Sequence, residues 1–493
     1  MLPFKTLLKL DKDTSTPLYQ QISNQLTELI LDSIIKPGAT LPGTREMAVL
    51  LGVHRKTIVA AYQELEAQAW VEIEPRKNVT VAEKLPRINP RDFNKSKITS
   101  AYTRDTGFEV KKIIDFPALA PQSTEYRLVI NDGFPDQRIA PIDLLLREYR
   151  SLFHSFSHRH TPNQSSPMGS LSLRSALVEY LSDSRGLNID TNNILLTHGG
   201  QMAIYIAAKI LLRPGSTVLV GEPNFFLANL IFEQFGAKLV KVPMDENGMK
   251  IDFIEQFCKT QKPDLLYIIP HHHHPTTVTL STDRRIKLMD LIRKYHFPVI
   301  EDDYDYDFHY NGSPILPLAS GNHGGNIIYI GSLTKSLTTS VRLGYMIAPG
   351  NFIQEAVLVR TILDYRNDYL FEGAFAALMQ NGEMQKHIKK SVKLYRARRN
   401  RLCDQLQEQL GNVVSFAKPA GGLAVWVKFN EDFSLPEISK QVAINGMFMN
   451  DGEFYSYGTN HLNSLRFGFA GLNEKEIDET VAIIKNVTDK IGK

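Results

Sequence analysis

Residues 299–304 read VIEDDY, an apolar run that changes abruptly to three acids and a tyrosine. A short apolar run of this kind predicts a buried strand, and the acids mark its end. Similar runs at 217–220, 265–269, 327–330 and 344–348 alternate with helical stretches. This alternation predicts an α/β fold with a mostly parallel sheet and helices on both faces. Ligands of such sheets bind beyond the carboxyl ends of the strands.

Polar residues follow two of these runs as an ordered set: Asp302 and Tyr304 after the first, Ser332 and Lys335 after the second, and Arg342 seven residues later. A lysine just past an apolar strand is partly desolvated, which lowers its pKa and frees its amine to form a Schiff base. An acid for a pyridinium nitrogen, a tyrosine for a ring hydroxyl, and a serine and an arginine for a phosphate meet the needs of pyridoxal 5'-phosphate. Each residue alone is more often structural, but the set at these spacings favours the cofactor.

The N-terminal region has a different pattern. Apolar residues at helical spacing predict three helices, the second from Thr44 to Leu51 and the third starting near His54. The alternating stretches 70–74 and 79–81 predict a small hairpin. Three helices and a hairpin in so short a region are typical of a winged helix-turn-helix domain.

Basic and polar side chains gather at the start of the third predicted helix, the end that recognition helices present to base edges. We expect DNA contacts from Arg45, His54, Arg55, Lys56 and Thr57 in the helix pair, and from Arg76 and Lys77 at the tip of the wing. Residues 1–83 hold nine Lys and Arg against ten Asp and Glu, so net charge alone does not indicate DNA binding. The alternative is a solvated helix end with ordinary surface charge.

The chain divides into three parts on these patterns. We expect a winged helix-turn-helix domain over residues 1–83, a basic linker over 84–112 and an α/β effector domain over 113–493. Two cysteines exclude a disulfide framework and a cysteine-rich zinc site. The net charge of +3 is nearly balanced, and no apolar run is long enough to span a bilayer or serve as a secretory signal. We therefore expect a cytoplasmic protein with no membrane partner.

Both ends of the chain resemble known families. Residues 17–83 resemble the GntR superfamily of winged helix regulators, on the run LPGTREMAVLLGVHRKTIVAAYQEL. The EDDYD run at 301–305 and the SLTKSL run at 332–337 resemble fold-type I aminotransferases, with further matches over most of 126–470. In this order the modules are similar to the MocR-type regulators, the GntR branch that carries an aminotransferase-like domain.

The resemblance implies roles for individual residues. Lys335 would carry the internal aldimine of pyridoxal 5'-phosphate, Asp302 would pair with its ring nitrogen, and Tyr304 with its ring oxygen. The remaining contacts would come from Gly200 and Gln201 through backbone amides at the phosphate, Ser332 and Arg342 at the phosphate, Phe225 stacked on the ring, and Arg466 at a substrate carboxylate. A small C-terminal α/β subdomain and a homodimer are also implied.

Some positions depart from the aminotransferase pattern. His198 replaces a serine before the phosphate glycine, Met202 a glutamine, and Thr277 a glycine beside the cofactor, while Leu227 offers no second cation. The histidines at 271–274 would point to alternate faces of an extended strand, so we expect no metal site there. His272 or His274 is instead expected near the cofactor.

Three functions are compatible with these residues. The first is a transcription regulator that binds a duplex DNA operator and senses an amine or amino acid through an external aldimine at Lys335. The second is a working aminotransferase with an appended DNA-binding module, because the residues for turnover are all present. In the third, pyridoxal phosphate is itself the effector. Fold and cofactor do not decide among them.

Overall fold

The structure is a computed structural model. It describes residues 2–11, 14, 16–74, 78–83, 85, 105–110, 126–157, 166–310, 312, 315–365, 367–456 and 462–491. The chain forms two compact units, Met1–Val110 and Lys111–Lys493. Most of the predicted linker over 84–112 lies outside the described residues, and so do Arg76 and Lys77 at the predicted wing tip.

The N-terminal unit is a small helical domain with a three-stranded sheet. Its elements are α1 (Phe4–Leu7), α2 (Leu18–Leu31), β1 (Thr40–Leu41), α3 (Thr44–Leu51), α4 (Arg55–Ala67), β2 (Val71–Ile73) and β3 (Val79–Val81). The strands are antiparallel in the order β1-β3-β2. Leu26, Ile58, Leu65 and Trp70 form part of a core buried between the helices and the sheet. The predicted winged helix-turn-helix is confirmed, and α1 and β1 are additions to it.

The C-terminal unit holds the remaining strands and helices. Its strands are β4 (Leu128–Ile130), β5 (Ile194–Thr197), β6 (Thr217–Glu222), β7 (Lys238–Asp245), β8 (Gly248–Met249), β9 (Leu265–Ile268), β10 (Val299–Asp303), β11 (Ile327–Ser332), β12 (Gly344–Ile347), β13 (Val414–Phe416), β14 (Ala424–Phe429), β15 (Met447–Met449) and β16 (Ser464–Gly468). Its helices are α5 (Ile142–Ser157), α6 (Leu171–Arg185), α7 (Gly200–Leu211), α8 (Phe226–Gln234), α9 (Ile251–Thr260), α10 (Thr282–Tyr295), α11 (Gly350–Leu363), α12 (Tyr369–Gln380), α13 (Glu383–Leu410), α14 (Leu435–Ile444) and α15 (Glu474–Ile491). Among the residues described, no helix combines the length and apolar character that crossing a membrane requires.

Eight strands form the main sheet, in the order β5-β12-β11-β10-β9-β6-β7-β8. The pairs from β11 through β10, β9 and β6 to β7 are parallel. Strand β12 runs antiparallel to both of its neighbours, and β8 runs antiparallel to β7. The predicted mostly parallel sheet is confirmed.

Helices cover both faces of this sheet. Ile300 of β10 belongs to the same buried cluster as Ala207 of α7. The preceding residue, Val299, belongs to a different cluster that contains Leu288 of α10. Successive strand residues point to opposite faces, so each face is buried under its own helices and the strands read as continuous apolar runs.

A smaller sheet with the order β13-β14-β16 packs with α13, α14 and α15 around a separate core. This is the predicted C-terminal α/β subdomain, and it is confirmed. Strand β4 pairs with β15 and so joins the start of the unit to its end. The loop after β4 is held close to β16, because the Gly468 amide donates to the Asn131 carbonyl at 2.9 Å. A Cβ on Gly468 would lie 2.3 Å from Asn131 Oδ1, so only glycine permits this approach.

Candidate functional site

The sheet brings the ends of β10 and β11 together. These strands are parallel neighbours with Asp302 beside Ile330, so Asp302 and Ser332 emerge at the same edge. Lys335 follows in the next loop. Its Nζ donates to the Gly133 carbonyl at 2.7 Å and lies 5.9 Å from the centroid of the Tyr304 ring.

The environment of Lys335 favours a neutral amine. Its Nζ lies 4.1 Å from the centroid of the Phe134 ring, and the side chain is only partly exposed. Burial lowers the pKa of Lys335 to about 8, with Asp132 acting in the opposite direction and Arg466 adding to the effect of burial. A lysine with such a pKa has a substantial nucleophilic fraction near neutral pH.

Asp302 is a buried carboxyl held by the neighbouring strand. Its Oδ2 accepts a hydrogen bond of 2.7 Å from the hydroxyl of Tyr267, on β9. Burial raises the pKa of Asp302 to about 7, with a further contribution from Asp303 and Asp305. A carboxyl in this environment gains most from a nearby cation, such as a protonated ring nitrogen.

Tyr304 connects the end of β10 to β16. Its hydroxyl donates to the carbonyl of His272 at 2.8 Å and accepts from Arg466 Nη2 at 2.9 Å. Arg466 is fully buried on β16. The structure therefore places Arg466, Tyr304 and Lys335 in one cleft.

A glycine-lined cradle lies at the start of α7. Gly199 has a φ of +86°, and a Cβ there would lie 3.0 Å from Arg342 Nη2. A Cβ on Gly344 would lie 2.6 Å from the carbonyl carbon of Gly199. Glycine at these positions therefore lets the start of α7, with the amides of Gly200 and Gln201, approach β12 and the guanidinium of Arg342, an exposed residue. A helix start with an added cation is suited to a phosphate.

Two other predicted contacts occupy nearby loops. Ser332 ends β11, and its Oγ accepts from the amide of Thr334 at 3.3 Å. Phe225 precedes α8, and its ring centroid lies 5.0 Å from that of His274 in an edge-on arrangement. His274 in turn lies 6.3 Å from the Tyr304 ring, so His274 links Phe225 to the cleft. The stacking role of Phe225 remains a prediction.

The four consecutive histidines are all buried, and each has a different partner. His271 Nε2 lies 2.7 Å from the Ile315 carbonyl, and His272 Nδ1 lies 2.8 Å from Asp305 Oδ1. The other two rings contact Thr276 and Asp132, respectively. Across the part of the chain that the structure describes, no three potential metal ligands converge. These rings fix the loop after β9 through separate hydrogen bonds.

Thr277 adopts the backbone conformation that glycine would favour. Its φ is +61°, and the residue is buried. For a residue with a Cβ this left-handed conformation costs about 1–2 kcal/mol. The replacement of the glycine thus leaves local strain beside the cleft.

Several residues of the cleft were not predicted from the sequence. Asp132 accepts from Tyr455 and contacts His274, both at 2.7 Å, and lines a cavity of about 690 Å³ together with Phe134 and Arg466. Asp132 directly precedes Gly133-x-Pro135-Asp136, which is one of the further matches to aminotransferases within 126–470, and this position was its only signal. Tyr455 lies in a short 3₁₀ helix, Glu453–Ser456, that carries no motif.

The helix-turn-helix presents His54, Arg55, Lys56 and Thr57 at the start of α4, and Arg45 at the start of α3. Gly52 ends α3 with a φ of +64°, and His54 caps α4 by accepting from the amide of Lys56 at 3.2 Å. The side chains of Arg45, His54, Arg55 and Lys56 are exposed, and Thr57 is partly exposed. This group of cations can meet phosphates and base edges.

Comparison with known proteins gives matches to both units. The family described as aminotransferase class I and II matches residues 136–484, and the gntR family of bacterial regulatory proteins matches residues 18–81. The uncharacterised HTH-type transcriptional regulator YisV of Bacillus subtilis is 26% identical, over 94% of this chain and 95% of its own length. The probable rhizopine catabolism regulatory protein MocR of Rhizobium meliloti is 23% identical, over 97% and 95%.

Solved structures share the fold of the C-terminal unit. A multiple substrate aminotransferase from Thermococcus profundus has a TM-score of 0.69 at 22% identity, covering 75% of this chain and 93% of that one. A kynurenine aminotransferase from Pyrococcus horikoshii, solved in complex with PMP, has a TM-score of 0.68 at 23% identity, covering 74% and 91%. The chain therefore belongs to the aminotransferase class I and II family and carries that fold behind a GntR-family helix-turn-helix domain, the architecture of the MocR-type regulators.

Proposed function

We propose that this protein is a transcription regulator that binds duplex DNA through its N-terminal unit and pyridoxal 5'-phosphate at Lys335. Its DNA binding would respond to a primary amine or amino acid that exchanges with Lys335, or to the cofactor itself. The observation that carries the proposal is geometric: Lys335 shares a cleft with Tyr304 and Arg466, and the parallel register of β10 and β11 brings Asp302 to the same edge of the sheet.

The residues of the cleft fit the cofactor. The start of α7 beside the Arg342 guanidinium, an approach that a Cβ on Gly199 would crowd, is suited to its phosphate. Asp302 would hold a ring nitrogen, Tyr304 a ring oxygen, and Lys335 the aldehyde carbon. Pyridoxal phosphate supplies an aldehyde that binds amines and a ring that accepts electrons from them. The chain's part is to keep the Lys335 amine close and partly neutral.

The N-terminal unit supports sequence-selective binding to DNA. The exposed side chains of Arg45, His54, Arg55 and Lys56 lie at the end of the helix pair that enters a major groove in such domains. Lys77 and Arg76 belong to the proposed contact set through the sequence alone. A protein that binds a chromosomal operator would act in the cytoplasm.

A homodimer is part of the proposal. Helix α11 exposes an apolar strip, with Leu358 60% exposed, Ile362 85% and the following Tyr365 68%. Exposed apolar side chains that form such a strip favour burial against another surface. A second copy would cover it and would also supply a second helix-turn-helix, so the operator would hold two half-sites.

A working aminotransferase is the second candidate. The observation that favours it is a cavity of about 690 Å³, with room for a substrate, that is lined by Phe134 and Arg466; the Phe134 ring also contacts Lys335. The residues needed for turnover are the same as those needed to sense an amine, so activity assays must separate the two functions.

The test has two stages. The purified protein is loaded with pyridoxal phosphate, its visible spectrum is recorded before and after borohydride reduction, and the modified peptide is identified by mass. We expect a band that disappears on reduction and a cofactor fixed to Lys335. Duplexes selected from a random library then serve to measure DNA affinity with and without added amines and amino acids. Coupling between two such sites typically changes affinity about 5- to 150-fold.

The outcomes separate the candidates. An amine-dependent change in DNA affinity supports the proposal, and a change caused by the cofactor alone identifies the cofactor as the effector. Sustained turnover of amino and keto substrates without sequence-selective DNA binding would favour the aminotransferase. A protein that never takes up the cofactor would overturn both.

A further inference from the structure

Arg466 shares the cleft with Tyr304 and Lys335, but its side chain is completely covered. Its Nη2 donates to the Tyr304 hydroxyl at 2.9 Å and its Nη1 to the Pro275 carbonyl at 3.3 Å. Its Nε lies 3.5 Å from Asp132 Oδ1 and donates to the Asp132 carbonyl at 3.3 Å. A carboxylate of this chain therefore already faces the guanidinium.

Asp132 is held in this position from three sides. Besides Arg466, its Oδ1 accepts from the hydroxyl of Tyr455 at 2.7 Å, and its Oδ2 lies 2.7 Å from Nε2 of His274. The other nitrogen of His274, Nδ1, is buried with no hydrogen-bond partner among the residues described. Among the residues described, the His274 ring therefore forms its hydrogen bond only with Asp132. Because a carboxylate only accepts, Nε2 of His274 is the donor.

Burial by itself would raise the pKa of Asp132, but His274 and Arg466 outweigh burial and hold this pKa well below its usual range. The side chain of Asp132 remains 37% exposed, and it lines the same cavity as Phe134, the residue whose ring contacts Lys335 Nζ. A ligand entering this cavity therefore meets a fixed negative charge.

The other cation that lines the cavity is also neutralised. Arg138 forms ion pairs of 2.8 Å with both Asp136 and Glu476. A ligand carboxylate would have to displace Asp132 from Arg466, and the displaced carboxylate would remain beside it. Like charges in such proximity disfavour binding, whereas a ligand without a carboxylate leaves the arrangement intact.

We propose that Asp132 occupies the place that a ligand carboxylate would need at Arg466, so that the ligands of this cleft are primary amines without a carboxylate on the amine-bearing carbon. This inference rests on the proposed function, in which an amine exchanges with Lys335. It narrows the ligand class from amines and amino acids in general to primary amines that carry no carboxylate on the amine-bearing carbon. It also makes Asp132 the residue that determines this specificity.

Matched pairs of probes test it: methylamine with glycine, ethylamine with alanine, and tyramine with tyrosine. The members of each pair differ by one carboxylate. The cofactor-loaded full-length protein is titrated with each probe, and its visible spectrum reports exchange at Lys335. We expect each amine to bind on the order of 10- to 100-fold more tightly than its amino acid.

The matched variant is Asp132→Asn, which preserves size and can still accept from Tyr455. It should lower the amine-to-amino-acid preference at least about tenfold in all three pairs. Asp143→Asn, at an exposed carboxyl on α5, is the control and should leave the preference unchanged. If Asp132→Asn fails to bind cofactor, Tyr455→Phe frees one carboxylate oxygen and should shift the preference in the same direction by a smaller factor.

Failure of this inference can be told apart from failure of the proposed function. If wild type binds the amino acids more tightly, or if both Asp132→Asn and Tyr455→Phe keep the wild-type preference, the role of Asp132 is wrong while exchange at Lys335 stands. If no probe changes the spectrum of the loaded protein, exchange at Lys335 is itself wrong, and the inference is wrong with it.

Discussion

The start of α4 and the cleft around Lys335 both present basic nitrogen atoms, but in opposite environments. His54, Arg55 and Lys56 are exposed at one end of a helix. Lys335 lies against the ring of Phe134, and burial lowers its pKa to about 8. A cation that contacts DNA works best charged and accessible, whereas an amine that forms a covalent bond must lose its proton near neutral pH. Both units thus depend on basic side chains, which are exposed at the start of α4 and partly buried at Lys335.

The same contrast governs the acids. Asp302 and Asp132 in the cleft are each held by a tyrosine hydroxyl at 2.7 Å. On α4, Glu66 is exposed near the end of the helix. Substitutions in the cleft should therefore change both ligand binding and local packing, while those of exposed basic residues at the start of α4 should change only binding to DNA.

The largest effect is expected for Lys335→Ala. Without the amine no covalent link to pyridoxal phosphate can form, so the visible band that borohydride abolishes in wild type should be absent. The matched control is Lys209→Ala, at an exposed lysine on α7, which should keep the band. A full band in Lys335→Ala, at wild-type melting temperature, would remove this lysine from its proposed role.

The next largest effect is expected for Asp302→Ala, which should lower the affinity for the cofactor about 100-fold. The reason is the loss of a charge-assisted hydrogen bond, worth roughly 1.5–3 kcal/mol, to the ring nitrogen. Equilibrium titration of the apoprotein with pyridoxal phosphate measures it. Tyr267→Phe removes only the hydroxyl that holds Asp302 and should cost much less. Equal losses in the two variants would show that Asp302 acts through packing alone.

Arg55→Ala tests the exposed side of the comparison. We expect the free energy of operator binding to weaken by about 1–3 kcal/mol, a roughly 5- to 150-fold loss of affinity, because a side chain at the start of a recognition helix contacts a base or a phosphate. The free energy of unfolding should change by less than about 0.5 kcal/mol, since the side chain is exposed. Glu66→Ala, on the same helix, is the control. Unchanged affinity and sequence preference would exclude Arg55 from the contact set.

The smallest expected effect is a pH dependence. The neutral amine is the form that reacts, and its fraction rises as pH increases through the lowered pKa of Lys335, about 8. The rate of cofactor uptake by the apoprotein should therefore increase about tenfold from pH 7 to pH 9 and then level off. A lysine derivative in solution, with an ordinary pKa, should show about a 100-fold increase without levelling. Identical profiles for protein and derivative would contradict the effect of burial.

Much of the fold follows from local pattern. The runs at 217–220, 265–269 and 327–330 are strands because each is apolar throughout and is buried on both faces. Pairing direction does not follow from composition. The run at 344–348 contains β12, which lies between β5 and β11 and is antiparallel to both. Nothing within this run distinguishes it from the runs that form parallel strands.

The sequence predicts those residues of the candidate site whose positions follow from their spacing along the chain. Asp302, Tyr304, Ser332 and Lys335 follow strand ends, so a parallel sheet must bring them to one edge. Asp132 and Tyr455 follow no such rule. Asp132 enters the cleft because β4 pairs with β15, at the opposite end of the unit. Its partner Tyr455 lies 323 residues away in sequence.

The sequence alone determined the two-unit architecture, the helix-turn-helix and the lysine, acid and tyrosine set, because apolar periodicity, helix-ending glycines and strand ends act over a few residues. Only the tertiary structure decided which charges meet. Whether Arg466 is accessible to a ligand or covered by Asp132 depends on contacts between residues more than 300 positions apart. Burial then sets the pKa of Lys335 and the charge of the cavity, because desolvation depends on everything that surrounds a group and not on its neighbours along the chain.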